Sequence, residues 1–521
     1  MSHFYITTPI YYVNDKPHLG TAYSTITADV LARYHRLFGD KTKFLTGVDE
    51  HGQKVQQAAA KRGIDPQKHC DELAEVFKAA WLKLNISCDQ FFRTTDAFHK
   101  TAVQNVLQKL WDAGDIYADT YEGWYCVSEE IFYTEKDLVN GKTPTGKDVE
   151  KVTEKNYFFK MSKYQKALIE HIEKNPKFIC PENRRNEVLG FLRQPLTDLC
   201  ISRPKARLSW GIEIPFDHDY VTYVWFDALL NYATAVGIAQ SGREKEYEEW
   251  WQNSGQTHHL IGKDILITHC VYWPTMLMAF GAALPKTIFA HGWVLNRDNE
   301  KMSKSKGSVM APDDMVAFVG VDPLRYYLVK EIHLGNDGPV SHELIAGRIN
   351  NDLANNLGNL LSRTTNLIDK FFGGQAPDVS KVALDEKTRS LIDRAVSTAN
   401  QVKSRIEDFE PSLALEAVVQ LLNETNKFLE EKAPWKTVKT HLVAAGADLY
   451  CALEVLRIAG GLLWPVMPEK MTALLETIGC PYKAGVETWP SLSKWGVIAA
   501  GTKVQKAQPL FPRIDIEKSD A

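Results

Sequence analysis

His3-Phe4-Tyr5-Ile6-Thr7-Thr8-Pro9-Ile10-Tyr11-Tyr12-Val13-Asn14-Asp15-Lys16-Pro17-His18-Leu19-Gly20-Thr21 sets the fold class. His3 to Val13 is rich in Ile, Thr, Tyr and Val, the composition of a buried strand. Pro17 suits a first helical turn, and Ala22, Ile26, Val30 and Leu31 then recur at helical spacing until Gly39. A strand thus feeds a tight turn and a helix N-terminus. Unpaired backbone N–H groups and the positive end of the helix dipole attract an anion there. His18 and Gly20 sit where phosphates would arrive, although His18 is equally suited to capping the helix.

Further along, the strand at 43–48 ends in Asp49-Glu50-His51-Gly52. Ligands of parallel α/β sheets collect at the carboxyl ends of strands. Asp49 is placed there to hold a cation such as a substrate amine, or alternatively to cap the helix starting near Gln53. Helices are expected over 66–84 and 96–113, with a short strand at 90–93 between them. From Ile116 to about Lys160 the pattern changes to short aromatic strands and turns, a small β-rich insertion. A helix from Lys163 and another over 183–193 follow, and 199–201 is expected to return the chain to the sheet. Strands at 220–224, 258–261 and 287–290 then alternate with helices, the first opened by Trp225-Phe226-Asp227-Ala228. This alternation predicts a doubly wound parallel sheet of α/β class. Beyond Asp322 strands nearly vanish. Helical periodicities over 341–372, 385–406, 411–431, 441–463 and 468–478 predict an all-α bundle, with an extended tail from Gly501 that either packs back on the body or frays.

Composition bounds the rest. A chain of 521 residues suits three or four domains, and 24% charged residues with 44% hydrophobic ones is ordinary for a globular protein. A net charge of −4 means that any nucleic-acid partner must meet a local basic face. The eight cysteines are scattered without a CxxC pair, which argues against a disulfide framework and fits a reducing, cytoplasmic setting. No apolar run is long enough to span a bilayer, and no secretory or transit segment is expected at the N-terminus.

Glu300-Lys301-Met302-Ser303-Lys304-Ser305-Lys306-Gly307 alternates lysines with small residues. Such a loop is flexible, cationic and donor-rich, suited to a polyphosphate whose charge grows during reaction, though the same composition describes many solvated loops. The string Lys301 to Ser305 resembles the KMSKS signature of class I aminoacyl-tRNA synthetases. Pro17 to Thr21 resembles their HIGH signature, with Thr21 where the family usually has His. Five further strings resemble the methionyl-tRNA synthetase family in particular: Thr8 to Asn14, Thr46 to Gly52, Tyr223 to Ala228, Ile261 to Ile265, and Lys432 to Trp435. They run nearly end to end.

The resemblance implies a split Rossmann-type sheet with a small β-rich insertion, followed by the helical bundle. Its halves would be 1–115 and 206–295, separated by a connective insertion at 116–205. The KMSKS loop with linking helices at 296–340 and an anticodon-binding domain with C-terminal tail at 341–521 would follow. It implies activation of L-methionine by ATP with Mg2+, then transfer to tRNA(Met). Positioning and charge stabilisation would suffice, without a protein nucleophile. The family's catalytic residues match His18, Thr21, Lys301 and Lys304. Asn14, His18, Gly20, Gly262, Asp264, Val294 and Lys304 match its ATP-binding set. Asp49 would hold the α-ammonium, and Ile10, Tyr12, Trp225, Ala228, Leu229, Tyr232, Ile265 and His269 would surround the side chain; these aromatics are otherwise ordinary core packing. The thioether is soft and pairs well with aromatic rings, so discrimination against leucine should be real but limited.

Zinc-bearing relatives carry two CxxC pairs in the insertion. The matching segments here read Cys126-Val127-Ser128-Glu129 and Thr143-Pro144-Thr145-Gly146, and one cysteine of four cannot build a tetrahedral thiolate site. A zinc-free insertion is expected. In the first bundle helix Asn351, Asn355, Asn359 and Arg363 repeat at i, i+4 and share one face, either to read bases or simply to meet solvent. The family's anticodon-reading residues match Asn359, Arg363 and Trp435. A monomer is expected, since the chain stops near the end of the bundle. The alternatives are another class I synthetase, usually with a larger editing insertion or an active-site metal, and a non-catalytic tRNA-binding relative.

Overall fold

Pro9 interrupts the pairing of the central strand. Strand β1 (His3–Tyr12) runs parallel to β2 (Lys41–Asp49), with Thr7 opposite Leu45 and then Ile10 opposite Gly47, so the register shifts across Thr8-Pro9. Proline has no N–H to give the ladder, and a bulge is where a strand accommodates it. Past the shift, Ile10, Tyr11 and Tyr12 are only half-buried, at the strand's carboxyl end.

The computed structural model describes residues 2–126, 131–133, 135–297, 300, 310–380, 382–482 and 489–515. Strands β3 (Gln90–Arg93), β4 (Ile179–Cys180), β5 (Thr257–Gly262) and β6 (Thr287–His291) complete a parallel sheet ordered β3-β2-β1-β5-β6-β4. Strand order reverses between β1 and β5, which opens a crevice at their carboxyl ends.

Two expectations about this sheet need correction. Residues 199–201 do not return to it: Leu199–Cys200 pairs with Phe158 and Phe159 of the insertion, and the unforeseen two-residue β4 takes the sheet edge. Asp217–Thr222 belongs to a separate antiparallel sheet with Glu213–Ile214 and Ser202–Pro204. Its polar first half is partly wet, as suits an antiparallel strand, whereas β5 is buried throughout.

Helix α1 (Leu19–Phe38) starts at the crevice and ends, capped by Gly39 at φ 89°, against the helical half. There Tyr34 Oη donates to Leu462 O at 2.7 Å, and Arg33 lies 5.3 Å above the Trp464 ring. The insertion is a long antiparallel ribbon of Ile116–Cys126 with Glu150–Phe159. The C-terminal region is helical. The pattern expected over 341–372 is a continuous helical run whose middle, Ile349–Gly358, has wider i→i+5 turns. Leu442–Leu463 is buried along nearly its whole length, as its all-round hydrophobicity requires. The tail packs back: Val504 N–H donates to Gly374 O at 2.8 Å and Ala376 N–H to Thr502 O at 2.9 Å.

Candidate active site and anticodon face

His18 is the N-cap of α1, so its capping alternative is realised. Its Nδ1 accepts from the N–H groups of Gly20 and Thr21 at 3.1 and 3.3 Å, and the Thr21 hydroxyl closes the reciprocal bond to the His18 backbone. With Nδ1 accepting, the neutral ring carries its proton on Nε2 and can donate it to a phosphate oxygen. Thr21 thus has a structural duty at the position where the signature usually has His. Asn14 is exposed in the same turn.

Across the crevice, the Ser24 hydroxyl donates to His291 Nε2 at 2.6 Å, while His291 Nδ1–H donates to Gly292 O at 2.7 Å. Burial pushes His291 down and keeps it neutral. Gly292 has no side chain for a reason: a Cβ there would lie 2.2 Å from Asn336 O. Lys263 binds both oxygens of Asp337 at 2.7 and 2.8 Å and lies 4.0 Å above the Trp293 ring. Trp293 Nε1–H reaches Asp264 Oδ1 at 3.4 Å. Gly262 and Asp264 therefore share one corner beyond β5, near the buried Val294 after β6. Lys263, Trp293 and Asp337 were not anticipated, because only the fold brings residue 337 to residue 263.

Lys301 and Lys304 lie outside the described residues. Both neighbours of that loop are described. Asn296 N–H donates to Glu300 O at 2.9 Å, and Met310 O accepts from Leu19 N–H at 3.2 Å. The second contact brings the chain after the loop to the start of α1.

The expected methionine residues fall into one chain of rings. Tyr12 and Trp225 meet edge-on at 6.5 Å, and Trp225 and His269 at 6.1 Å. The Tyr232 hydroxyl donates to His269 Nε2 at 2.7 Å. His269 Nδ1–H donates to Ile265 O at 3.0 Å, which fixes the tautomer. Burial lowers His269 to about 4. Trp225, Ala228, Leu229 and Tyr232 share one face of the helix Val224–Thr234. Asp49 ends β2 opposite Tyr12, nearly buried, and its carbonyl accepts from Val13 N–H at 3.3 Å. The helix Gln53–Arg62 starts from Gly52 without a side-chain cap, so the capping alternative for Asp49 is not realised. Ile10 lies at the same end of β1. Arg203 was missed: it is buried between the rings of Tyr125 and Tyr223, 5.2 and 4.6 Å away, joining the insertion to the start of the pocket helix. The available signal was an arginine just after the apolar Leu199-Cys200-Ile201.

In the helical half, the Arg363 guanidinium lies 4.9 Å above the Trp435 ring and 3.8 Å from Glu430. Asn351, Asn355 and Asn359 are exposed, whereas Leu353, Leu357, Leu360 and Leu361 are buried and Leu367 half-buried. In the insertion Cys126 is buried, while Val127, Ser128 and Glu129 lie outside the described residues. Thr143 closes its turn through Thr145 Oγ1 at 2.9 Å and Lys147 N–H at 3.1 Å. Among the described residues no group of three or more His, Cys, Asp or Glu is placed to hold a metal, and no helix is long and apolar enough to cross a membrane.

A split parallel sheet with a capped helix N-terminus at its switch point, a cluster of aromatic rings beyond its strands and a helical bundle behind defines a class I aminoacyl-tRNA synthetase. A family model described as tRNA synthetases class I (M) matches residues 4–151 and 134–365. A model of the anticodon binding domain of methionyl tRNA ligase matches 377–521. The methionine–tRNA ligase of Clostridium perfringens is 47% identical over 524 residues, spanning 99% of this chain and 78% of the relative. That of Bacillus subtilis is 43% identical over 533 residues, spanning 99% and 79%. The solved structure of Mycobacterium tuberculosis methionyl-tRNA synthetase in complex with methionyl-adenylate matches with a TM-score of 0.92 at 39% identity, over 98% of this chain and 100% of that one. The chain belongs to the methionyl-tRNA synthetase family.

Proposed function

We infer that the protein activates L-methionine with ATP, forming methionyl-adenylate and pyrophosphate, and transfers the methionyl group to tRNA(Met). The observation that carries this is the full-length match to a structure holding methionyl-adenylate, together with the chain of rings from Tyr12 to Tyr232.

The methionine carboxylate attacks the α-phosphate and pyrophosphate leaves. His18 Nε2–H and the N-terminus of α1 stabilise the crowded phosphorus. Lys301 and Lys304 draw off the pyrophosphate. Asn14, Gly20, Gly262, Asp264 and Val294 seat the nucleotide. Asp49 takes the α-ammonium, and the chain from Tyr12 to Tyr232 wraps the thioether with Ile10, Ala228, Leu229 and Ile265. Mg2+ arrives with the nucleotide as part of the substrate. In the second step a ribose hydroxyl at the tRNA 3′ end displaces AMP, while Asn359, Arg363 and Trp435 hold the anticodon. The remainder of this reading is a catalytic body at 1–115 and 206–295, a zinc-free insertion at 116–205, the loop region at 296–340 and an anticodon-binding domain at 341–521, in a cytoplasmic monomer.

ATP–pyrophosphate exchange with the twenty amino acids, one at a time and without tRNA, tests this. Exchange with methionine alone is the expected result. Exchange with another amino acid, or none, would overturn it.

A further inference from the structure

Asp227 is the one charged residue of the largely apolar helix Val224–Thr234 and is fully buried. Each of its carboxylate oxygens is held by an imidazole. His51 Nδ1–H donates to Oδ2 at 2.6 Å, and His99 Nε2–H donates to Oδ1 at 2.9 Å. Thr234 Oγ1 lies 2.8 Å from His99 Nδ1 and orients that ring in turn. Burial pushes the Asp227 carboxyl up, but the attraction of His51 and the hydrogen bonds from both rings outweigh it and hold it below the usual carboxylate range. A buried carboxylate with both oxygens occupied is a fixed point, and removing it strands two buried N–H donors.

The three residues come from three elements: the loop after β2, the helix Ala97–Asp112 and the pocket helix. His51 follows Asp49 by two positions. The other side of that loop is anchored to the end of β3 and the residue after it: Arg93 Nε–H donates to Glu50 Oε1 at 2.8 Å, and Glu50 N–H donates to Thr94 Oγ1 at 3.0 Å. Gly52 N–H donates to Trp210 O at 3.3 Å. The loop is therefore located from two sides, and its tie to the pocket helix runs through His51 and Asp227.

We propose that Asp227, acting through His51, is a positioning residue for methionine: it sets the distance between Asp49, at the ammonium end of the amino acid, and the side-chain wall on its own helix. His99 holds the carboxylate in the orientation that serves His51. The inference rests on the reading of Asp49 as the ammonium ligand. A substrate held at both ends is sensitive to the spacing of those ends, while the nucleotide, seated on α1 and beyond β5, is not.

Pyrophosphate exchange on the full-length chain tests this with Asp227→Asn, His51→Gln and His51→Asn. The amide introduced by Asp227→Asn offers a donor where one imidazole needs an acceptor. His51→Asn keeps an N–H where Nδ1 stood, whereas His51→Gln carries the amide one bond further out. Asp227→Asn and His51→Gln are expected to raise KM for methionine about tenfold or more while KM for ATP stays within about twofold, and His51→Asn to raise it less than His51→Gln. An unchanged KM for methionine, a parallel rise in both KM values, or equal effects of the two His51 variants would overturn the proposal. Should Asp227→Asn fail to fold, the His51 pair decides by the same comparison. Wild-type exchange with methionine is the control for the underlying reading: its absence fails that reading, whereas its presence with an unsplit KM fails this inference alone.

Discussion

Arg325 Nη2–H donates to Asp29 Oδ2 at 2.7 Å, and neither side chain reaches solvent. The same guanidinium donates to Val466 O at 2.8 Å, Pro465 O at 3.1 Å and Leu84 O at 3.1 Å. Asp29 also takes Arg33 Nε–H at 2.8 Å. One cation thus joins α1, the end of the helix Pro66–Lys83 and the turn before Pro468–Thr477. Arg325→Met leaves a buried carboxylate short of charge and several carbonyls unmet. A loss of about 3–5 kcal/mol in unfolding free energy is expected, read by urea denaturation. A loss under about 1 kcal/mol would mean that packing alone holds this junction.

Acid should weaken the fold from about pH 6.5 downward, with the carboxyls of Asp322 and Asp448, which burial raises to about 6, offsetting part of the loss. Burial holds His258 and His259 well below the usual histidine range, lowers His291 and brings His269 to about 4. Between those values and about 6.5 the unfolded chain binds protons that the folded one refuses. Stability from these groups is fully present above about pH 6.5 and falls as pH drops toward 4. Melting temperatures across pH 8 to 5 check this. A flat profile below pH 6.5 would contradict it.

Tyr232→Phe removes the hydroxyl that His269 Nε2 accepts. The imidazole is then left with a buried, unmatched acceptor, at a cost of about 1–3 kcal/mol. Methionine kcat/KM should fall accordingly, with KM for ATP unchanged. Steady-state exchange kinetics at fixed ATP give the answer, and an unaltered kcat/KM would separate this pair from the pocket.

Trp435→Ala should leave methionine activation intact and cut tRNA charging. Base stacking on an aromatic is worth roughly 1–3 kcal/mol, so about a five- to 150-fold loss in kcat/KM for tRNA is expected. Equal losses in exchange and charging would remove Trp435 from the anticodon face.

Thr21→Val keeps the side-chain shape and removes the capping hydroxyl. A destabilisation of about 1 kcal/mol is expected from the lost cap, read by urea unfolding. No change would mean that His18 alone secures the start of α1.

Local patterns made β1, α1 and the bundle legible, because strand composition, Gly39 and long helical periods each act within a few residues; Pro17, expected in the first turn, instead precedes the His18 cap. Strand β4 escaped because two residues carry no period. Asp217–Thr222 was legible as a strand but not as a member of another sheet, since partner choice is decided by tertiary packing. The rings from Tyr12 to Tyr232 were named through the resemblance, and packing then brought them into contact. Asp227 could not be understood locally. A carboxylate in an apolar helix looks like an error until His51 and His99, 176 and 128 residues away in the chain, are brought to it.

Helix α1 has its first turn at the His18 cap, at the crevice, and its last turns under Leu462 and Trp464. Its twenty residues make a rod of about 30 Å. Pivoted near its middle, at the buried Asp29, such a rod is a lever between the two halves of the molecule. A tilt of about 6° about that pivot moves each end by about 1.6 Å, a displacement on the scale that decides whether a phosphate and its attacking oxygen are in line.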